Sequence, residues 1–257
     1  MSRLFSDESL DIAVNASAVL TGPPMTMACW VFPDEALTCT AMSIADPALA
    51  THFFRIGIGS TFTAICATRA GGTEALATTT ATGAINTWMH IAGVFVPNGA
   101  ITDTRTAYLS GANAVSNLTD HTPANMGETG IGFKCGSTDT LWFSGRIAEA
   151  AIWDVVLDAA ELLTLAAGFS PLLVRPSALA AYWPFISRAS PEIDIVGGFN
   201  LTLTGTAVAE HPRILYPDGV VLGRHTDAAP AAGHPAMARW HGIPGMWPGR
   251  PLFGRGW

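Results

Sequence analysis

Hydrolysis of a glycoside with retention of configuration needs two carboxylates aimed into one cleft. The nearest approach to such a set here is Glu192-Ile193-Asp194, two acids at strand spacing. The chain has no G-x-S-x-G elbow, no H-E-x-x-H and no glycine-rich phosphate loop ending in lysine, so an enzyme is not expected. Cys29, Cys39, Cys66 and Cys135 are far apart with no C-x-x-C pair. That spacing supports neither a zinc knuckle nor a redox motif, and buried free thiols are expected. Asp46, Asp103, Asp120 and Asp139 occupy turn-forming stretches and are the candidate oxygen ligands for Ca2+. They form no dense acidic cluster, so solvated turn acids are expected and no cofactor is assigned. His90 lies in a strand-like run and is expected to be a satisfied strand histidine rather than a base or a ligand.

Binding chemistry is concentrated at the C-terminus. Residues 211–257 contain no Glu or Lys, five Arg and two Asp, giving +3 against −10 for the rest of the chain. Arg239, Trp240, Trp247, Arg250, Phe253, Arg255 and Trp257 interleave the residue types that dominate binding hot spots. Pro and Gly recur too densely there for a regular helix. An extended arm is expected, laid over a neighbouring subunit in preference to its own domain. Five arginines without a lysine cluster make a poor phosphate footprint, so nucleic acid is not an expected partner.

These residues must be positioned by a β-rich body. Strand-like runs cover 10–14, 25–32, 37–44, 52–58, 62–68, 74–80 and 197–205, with turn signals such as Pro33-Asp34, Asp46-Pro47 and Gly71-Gly72 between them. Spacings near ten residues describe an all-β sandwich. The Thr/Ala run from Ala75 to Thr82 fits a solvent-facing or partner-facing strand. From Phe143 to Gly168 the reading is finest. Ile147, Glu149, Ala151 and Trp153 alternate with Ala148, Ala150 and Ile152, as in a strand covered on both faces. Asp158 and Glu161 then form a capping box, Leu162, Leu165 and Ala166 share one helical face, and Gly168 ends the helix.

Charged residues make up 13% of the chain and mean hydropathy is +0.33. An average soluble protein has roughly 25% charged residues, so much outer surface is expected to be hidden against other protein. No apolar run approaches the ~18 residues of a membrane helix, and membrane insertion is not expected. Acids at Asp7 and Glu8 stand where a secretory signal would have its apolar core, so no signal peptide is expected.

The pattern Phe143-Ser144-Gly145-x-Ile147-x-Glu149-x-x-Ile152-Trp153, then Leu157-Asp158-x-x-Glu161-Leu162, resembles the closing segment of the concanavalin A-like lectin/glucanase fold in its laminin-G-like form. Met25–Phe32 with Trp30, Thr87–Phe95, Thr104–Gly111 and Ala178–Phe185 resemble further strands of that family, in its order and spacing. The resemblance spans residues 1–210. It implies a jelly-roll β-sandwich with one short helix, Trp30 packed in the core, and residues 211–257 as a separate extended C-terminal arm. One departure is Ala148, which stands where the family has Asp and weakens the analogy to its cation sites. The strand-borne acid set of the family's glucanases is not matched either.

This fold serves lectins, hydrolases, adhesion modules and viral proteins. The whole arrangement, including Ser170–Pro176 and His211–Pro217 as joints to a Pro-rich tail, resembles laminin-G-like proteins of tailed phages. It implies a non-enzymatic virion structural protein, a capsid decoration or tail-associated component assembled in the host cytoplasm. The arm would anchor it to other virion proteins or to copies of itself. The alternative is a carbohydrate-binding, lectin-like adhesion module that recognises host-surface glycans.

Overall fold

The structure, a computed structural model, describes residues 1–6, 11–97 and 104–218. The chain forms two antiparallel sheets packed face to face. One contains, in spatial order, β10 (Ala112–Asn117), β9 (Thr104–Leu109), β8 (Met89–Val96), β3 (Met25–Pro33), β12 (Gly145–Trp153), β1 (Ser2–Phe5) and β15 (Ala207–Ala209). β13 (Leu179–Trp183) pairs with the second half of β12, beyond the half that β1 takes. The other sheet runs β14 (Thr202–Thr204), β2 (Ile12–Asn15), β11 (Glu128–Ile131), β4 (Cys39–Ala45), β5 (His52–Ile58), β6 (Ala64–Ala70) and β7 (Ala75–Thr78). The helix α1 (Ala159–Ala166) lies against the first, which we call the helix-bearing sheet, and we call the second the open sheet. Sequence neighbours are repeatedly separated in space, giving the expected all-β jelly-roll sandwich.

Alternation puts Met25, Met27, Cys29 and Val31 of β3 and Ile91 and Phe95 of β8 into the interface, where they meet Ile44, Phe54, Ile56 and Cys66 of the open sheet. Each large apolar side chain so buried contributes about 2 kcal/mol. Phe54 and Phe95 meet edge to face across the interface at 5.3 Å. Gly93 allows the closest approach, since a Cβ there would lie 2.4 Å from Ile56 Cγ2. All four cysteines are free and buried, as their spacing suggests.

Sequence patterning fails at the middle of β12. Its register against β3 shifts between Ala148 and Ala151, and Glu149 there has φ 54°, in the left-handed region. Such a bulge inserts an unpaired residue and reverses the facing of everything after it. Ile147, Ala150 and Ile152 therefore face the sandwich core, while Ala151 and Trp153 face outward beneath α1. This corrects the simple alternation that placed Glu149, Ala151 and Trp153 on the side of Ile147.

The bulge leaves the Glu149 carboxylate 3% exposed on the outer face of the helix-bearing sheet. Tyr182 Oη donates to Oε2 and Tyr216 Oη to Oε1 at 2.6 Å, and His211 Nε2 lies 3.1 Å from Oε1. Burial, and then the charge of Glu149, push both tyrosines well above the usual phenol range. Residues 211–218 are thereby tied to the body. Leu215 N donates to Gly168 O at 2.8 Å, and Ser170 N to Leu215 O at 2.9 Å. The capping box of α1 forms as read, with Asp158 accepting from Ala160 N and Glu161 N and Glu161 accepting from Asp158 N. Gly168 takes a φ of 90° after it, and Arg175 Nε clamps Glu161 at 2.7 Å.

Two strand residues differ from expectation. Trp30 is only half-buried and lies on the outer face of the helix-bearing sheet, because the odd-numbered residues of β3 fill the core. It meets His90 edge-on at 5.6 Å. His90 is buried in β8 as expected, yet its Nδ1 has no partner, and burial pushes its pKa down to about 3. β1, β10, β11 and β15 lie outside the runs singled out in the sequence, and only residues 202–204 of the run 197–205 are strand.

Glu192 and Asp194 serve the body. Asp194 accepts from the backbone N–H groups of Tyr182, Val196, Gly197 and Phe199 at 2.9–3.1 Å. Glu192 is 1% exposed, accepts from Ile186 N at 3.0 Å and stands 3.9 Å from Arg3. Burial pushes its pKa up to about 7, against the pull of the backbone donors and Arg3.

Two predictions follow from these buried acids. Replacing Glu149 by Ala leaves three donors without their acceptor and should lower unfolding stability by about 3 kcal/mol in denaturant titration. Glu149→Gly should cost about 1 kcal/mol less, since glycine adopts the left-handed backbone freely. An alanine variant as stable as the parent would show that the cluster does not hold the fold. For Glu192 the folded state holds its proton more tightly than the unfolded chain, so the group's contribution is fully present at low pH. That contribution declines as pH rises from the ordinary carboxylate range through about 7. Glu192→Gln should therefore flatten the fall in stability across that window by up to ~1.4 kcal/mol per pH unit. Parallel pH profiles for the two proteins would contradict this.

Candidate functional site

A sandwich has two outer faces, and here one of them is occupied. Leu162 and Leu165 of α1 cover Ala151, Trp153 and Tyr182 on the helix-bearing sheet. Trp153 Nε1 is engaged by Val174 O at 2.9 Å. The pocket between Trp30, His90, Glu149 and Phe169 has a volume of only about 10 Å³, room for a single water. A larger hollow of about 250 Å³ opens beside the start of α1, but its charged groups are engaged with one another. Glu161 is bound by Arg175, and Asp158 caps the helix.

On the open sheet, residues 132–143 cover one half of the outer face. Gly130 of β11 makes room for them, because a Cβ there would come within 2.9 Å of Phe133 and Cys135. Ser43 Oγ on β4 donates to Phe133 O at 2.9 Å and accepts from Cys135 N at 3.0 Å. Trp142 stacks on Phe133, with centroids 5.4 Å apart and planes at 12°. Burial pushes the Cys135 thiol up to about 12, so it is a packing and hydrogen-bonding group.

Beyond this loop a cleft of about 380 Å³ remains open. Phe53 of β5 forms an apolar floor, with Ala50 and Leu141 beside it, and Arg69 of β6 is its cross-strand partner. Thr138 and Thr140 contribute hydroxyls from the loop, held by the paired backbones of Lys134 and Thr140. Lys134 lays its stem over Phe53, with Nζ 5.3 Å from the ring centroid, and donates to Thr138 O at 3.1 Å. Glu74, the acid lining the cleft, is bound by Arg55 Nε at 2.6 Å. Burial, joined by the charges of Arg55 and Arg69, holds the Lys134 ammonium below the usual lysine range, with Cys135 and Asp139 opposing.

An apolar floor ringed by hydroxyls, amine and guanidinium is suited to holding a polar molecule that has one apolar face. None of this cleft was singled out in the sequence. Lys134 is the chain's only lysine, and that is the one compositional signal that pointed to it. Of the proposed calcium ligands, Asp46 is buried and accepts from Ala48 N at 2.7 Å, and Asp103 lies outside the described residues. Among the described residues no three His, Cys, Asp or Glu side chains are placed to hold a metal ion, and no helix is long and apolar enough to cross a membrane. The arm residues Arg239, Trp240, Trp247, Arg250, Phe253, Arg255 and Trp257 all lie outside the described residues.

No curated protein matches the chain. Among solved structures, a putative carbohydrate binding protein from Bacteroides ovatus superposes with a TM-score of 0.59 at 17% identity, covering 80% of this chain and 58% of its own. The heptameric SAP-like pentraxin from Limulus polyphemus gives 0.52 at 14% identity, covering 64% and 81%. At such identities the likeness is one of fold. Residues 7–163 match the family model for the concanavalin A-like lectin/glucanases superfamily, and the chain belongs to that family.

Proposed function

We propose that this protein is a carbohydrate-binding module whose ligand occupies the cleft on the outer face of the open sheet. The observation that carries this reading is the makeup of the cleft. It is open, lined by Thr138 and Thr140, whose hydroxyls have no partner among the described residues, and its accessible apolar surface comes from Ala50 and Leu141 beside the buried Phe53. A sugar ring offers hydroxyls around its edge and C–H groups on its faces, so it can meet both kinds of surface. Membership of a lectin-containing superfamily and the fold likeness to a putative carbohydrate binding protein support the same reading, as analogies of fold.

The virion role drawn from the likeness to phage proteins has no such support. The C-terminal arm that would anchor it lies outside the described residues, and neither similar structure described above is named as a virion component. The sandwich itself speaks for the glycan-binding alternative.

The full chain should show saturable binding to a subset of glycans on an array, confirmed by calorimetry in solution. Thr138→Trp, which places an indole in the cleft from an exposed loop position, should reduce that binding by roughly tenfold or more while the melting temperature stays unchanged. An array on which no glycan binds above background would refute the reading.

A further inference from the structure

The chain carries a net charge of −7, and four of the eight arginines among the described residues stand opposite an acid. Arg3 faces Glu192, Arg55 binds Glu74, Arg146 reaches Glu210 at 3.3 Å, and Arg175 binds Glu161. The cleft brings two cations together. Neither Arg69 nor Lys134 has a carboxylate within ion-pair distance among the described residues, although both line it.

Both cations are held in position. Arg69 Nε donates to Gly72 O at 2.7 Å and Gly71 O at 3.0 Å. Those bonds orient the guanidinium by its inner nitrogen, and the two terminal amino groups keep their donors. Lys134 is 6% exposed, with its stem fixed over Phe53. Its ammonium has three donors, and Thr138 O takes one. The nearby acids offset these charges only in part. Glu74 is already neutralised by Arg55, and Asp139, exposed on the same loop, forms no ion pair with Lys134. Two like charges kept together in a half-buried cleft repel each other, and an anion between them would remove that cost.

We propose that the sugar bound in this cleft is an acidic one, its carboxylate or sulfate received by the Arg69 guanidinium and the Lys134 ammonium. This rests on the glycan-binding reading and adds the class of ligand. A planar guanidinium forks onto a carboxylate or sulfate through two parallel hydrogen bonds. The ammonium supplies a point charge beside it, and the Thr138 and Thr140 hydroxyls meet the ring. Burial and the two arginines already weaken the hold of Lys134 on its proton, and a bound anion reverses that tendency.

The test is calorimetric titration of the full chain with matched pairs differing in one anionic group: sialylated lactose against lactose, a glucuronic-acid-ended disaccharide against its glucose-ended counterpart, and galactose 6-sulfate against galactose. At least one acidic member should bind roughly tenfold or more tightly than its neutral partner, since hydrogen bonds to charged groups are the strong ones. Which pair shows the difference separates carboxylate from sulfate. Arg69→Ala and Lys134→Met, which keeps the stem over Phe53, should each remove most of that preference, the Lys134 variant at a melting temperature no lower than the parent's, and added salt should weaken the acidic ligand alone. Neutral members bound as tightly as acidic ones would overturn the acidic preference and leave the glycan reading intact. An acidic preference that survives both substitutions would overturn the assignment to these two residues. If neither these ligands nor any glycan on the array bound, both readings would fall together.

Discussion

The bulge at Glu149 decides how the layers of this protein are filled. β12 is an inner strand of the helix-bearing sheet, flanked by β3 on one side and by β1 and β13 on the other. With strict alternation, Trp153 would point into the sandwich with Ile147, where Met27, Ile56 and Phe95 already fill the space. One residue in the left-handed region moves Trp153 to the opposite side. It then becomes the floor on which Leu162 and Leu165 sit. A non-glycine residue in that conformation costs about 1 kcal/mol or more, and it persists because the surroundings hold it. Glu149 has three such holds, from Tyr182, Tyr216 and His211.

That arrangement bears on function by exclusion. Once Trp153 and Tyr182 face outward, the helix-bearing sheet needs a cover, and α1 with residues 169–178 and 211–218 provides it. Glu149, Tyr182, Tyr216 and His211 on that side are turned on one another, and the pocket that remains is too small for a sugar. Among the described residues no helix lies on the open sheet. Its loop 132–143 shields β2, β11 and β4, and stops short of the far half of the sheet. The cleft is the space between the end of that cover and the loop edges of β5, β6 and β7. Its existence is a consequence of loop length and of where Gly130 and Ser43 anchor the loop.

Local signals read well from the sequence and distant ones did not. The capping box of α1, the stop at Gly168 and the strands at 25–32 and 52–58 each depend on residues within one element, so their chemistry is visible in a short window. The bulge escapes such a window, because a period of two shows nothing at a residue that breaks it. Trp30 was placed in the core by family likeness, whereas the odd residues of β3 take that position. The cleft was the hardest part to read. Phe53, Arg69, Glu74 and Lys134 come from separate segments, and only the pairing of β5 with β6 and the fold of the 132–143 loop bring them together. Each alone is an ordinary strand or loop residue.

Charge is scarce in this chain, so the places where it is buried carry information. Removing an ion from water costs several kcal/mol unless partners repay it, and most of the buried charges here are repaid. Arg55 has Glu74, Glu149 has two phenols and a histidine, and Asp194 has four backbone donors. Arg105, fully buried between the sheets, donates to Asn117 Oδ1 and Thr119 O. Lys134 is repaid least, with one backbone carbonyl, the face of Phe53 and the charge of Asp139 beyond ion-pair distance. Folding alone offers little reason to keep an ammonium there, since a methionine would cover Phe53 as well without the desolvation cost. Perturbed and under-compensated charges in an open cleft are where binding sites concentrate. The only lysine of the chain, set beside an arginine that also lacks an acid, is explained more simply by a ligand than by the stability of the sandwich.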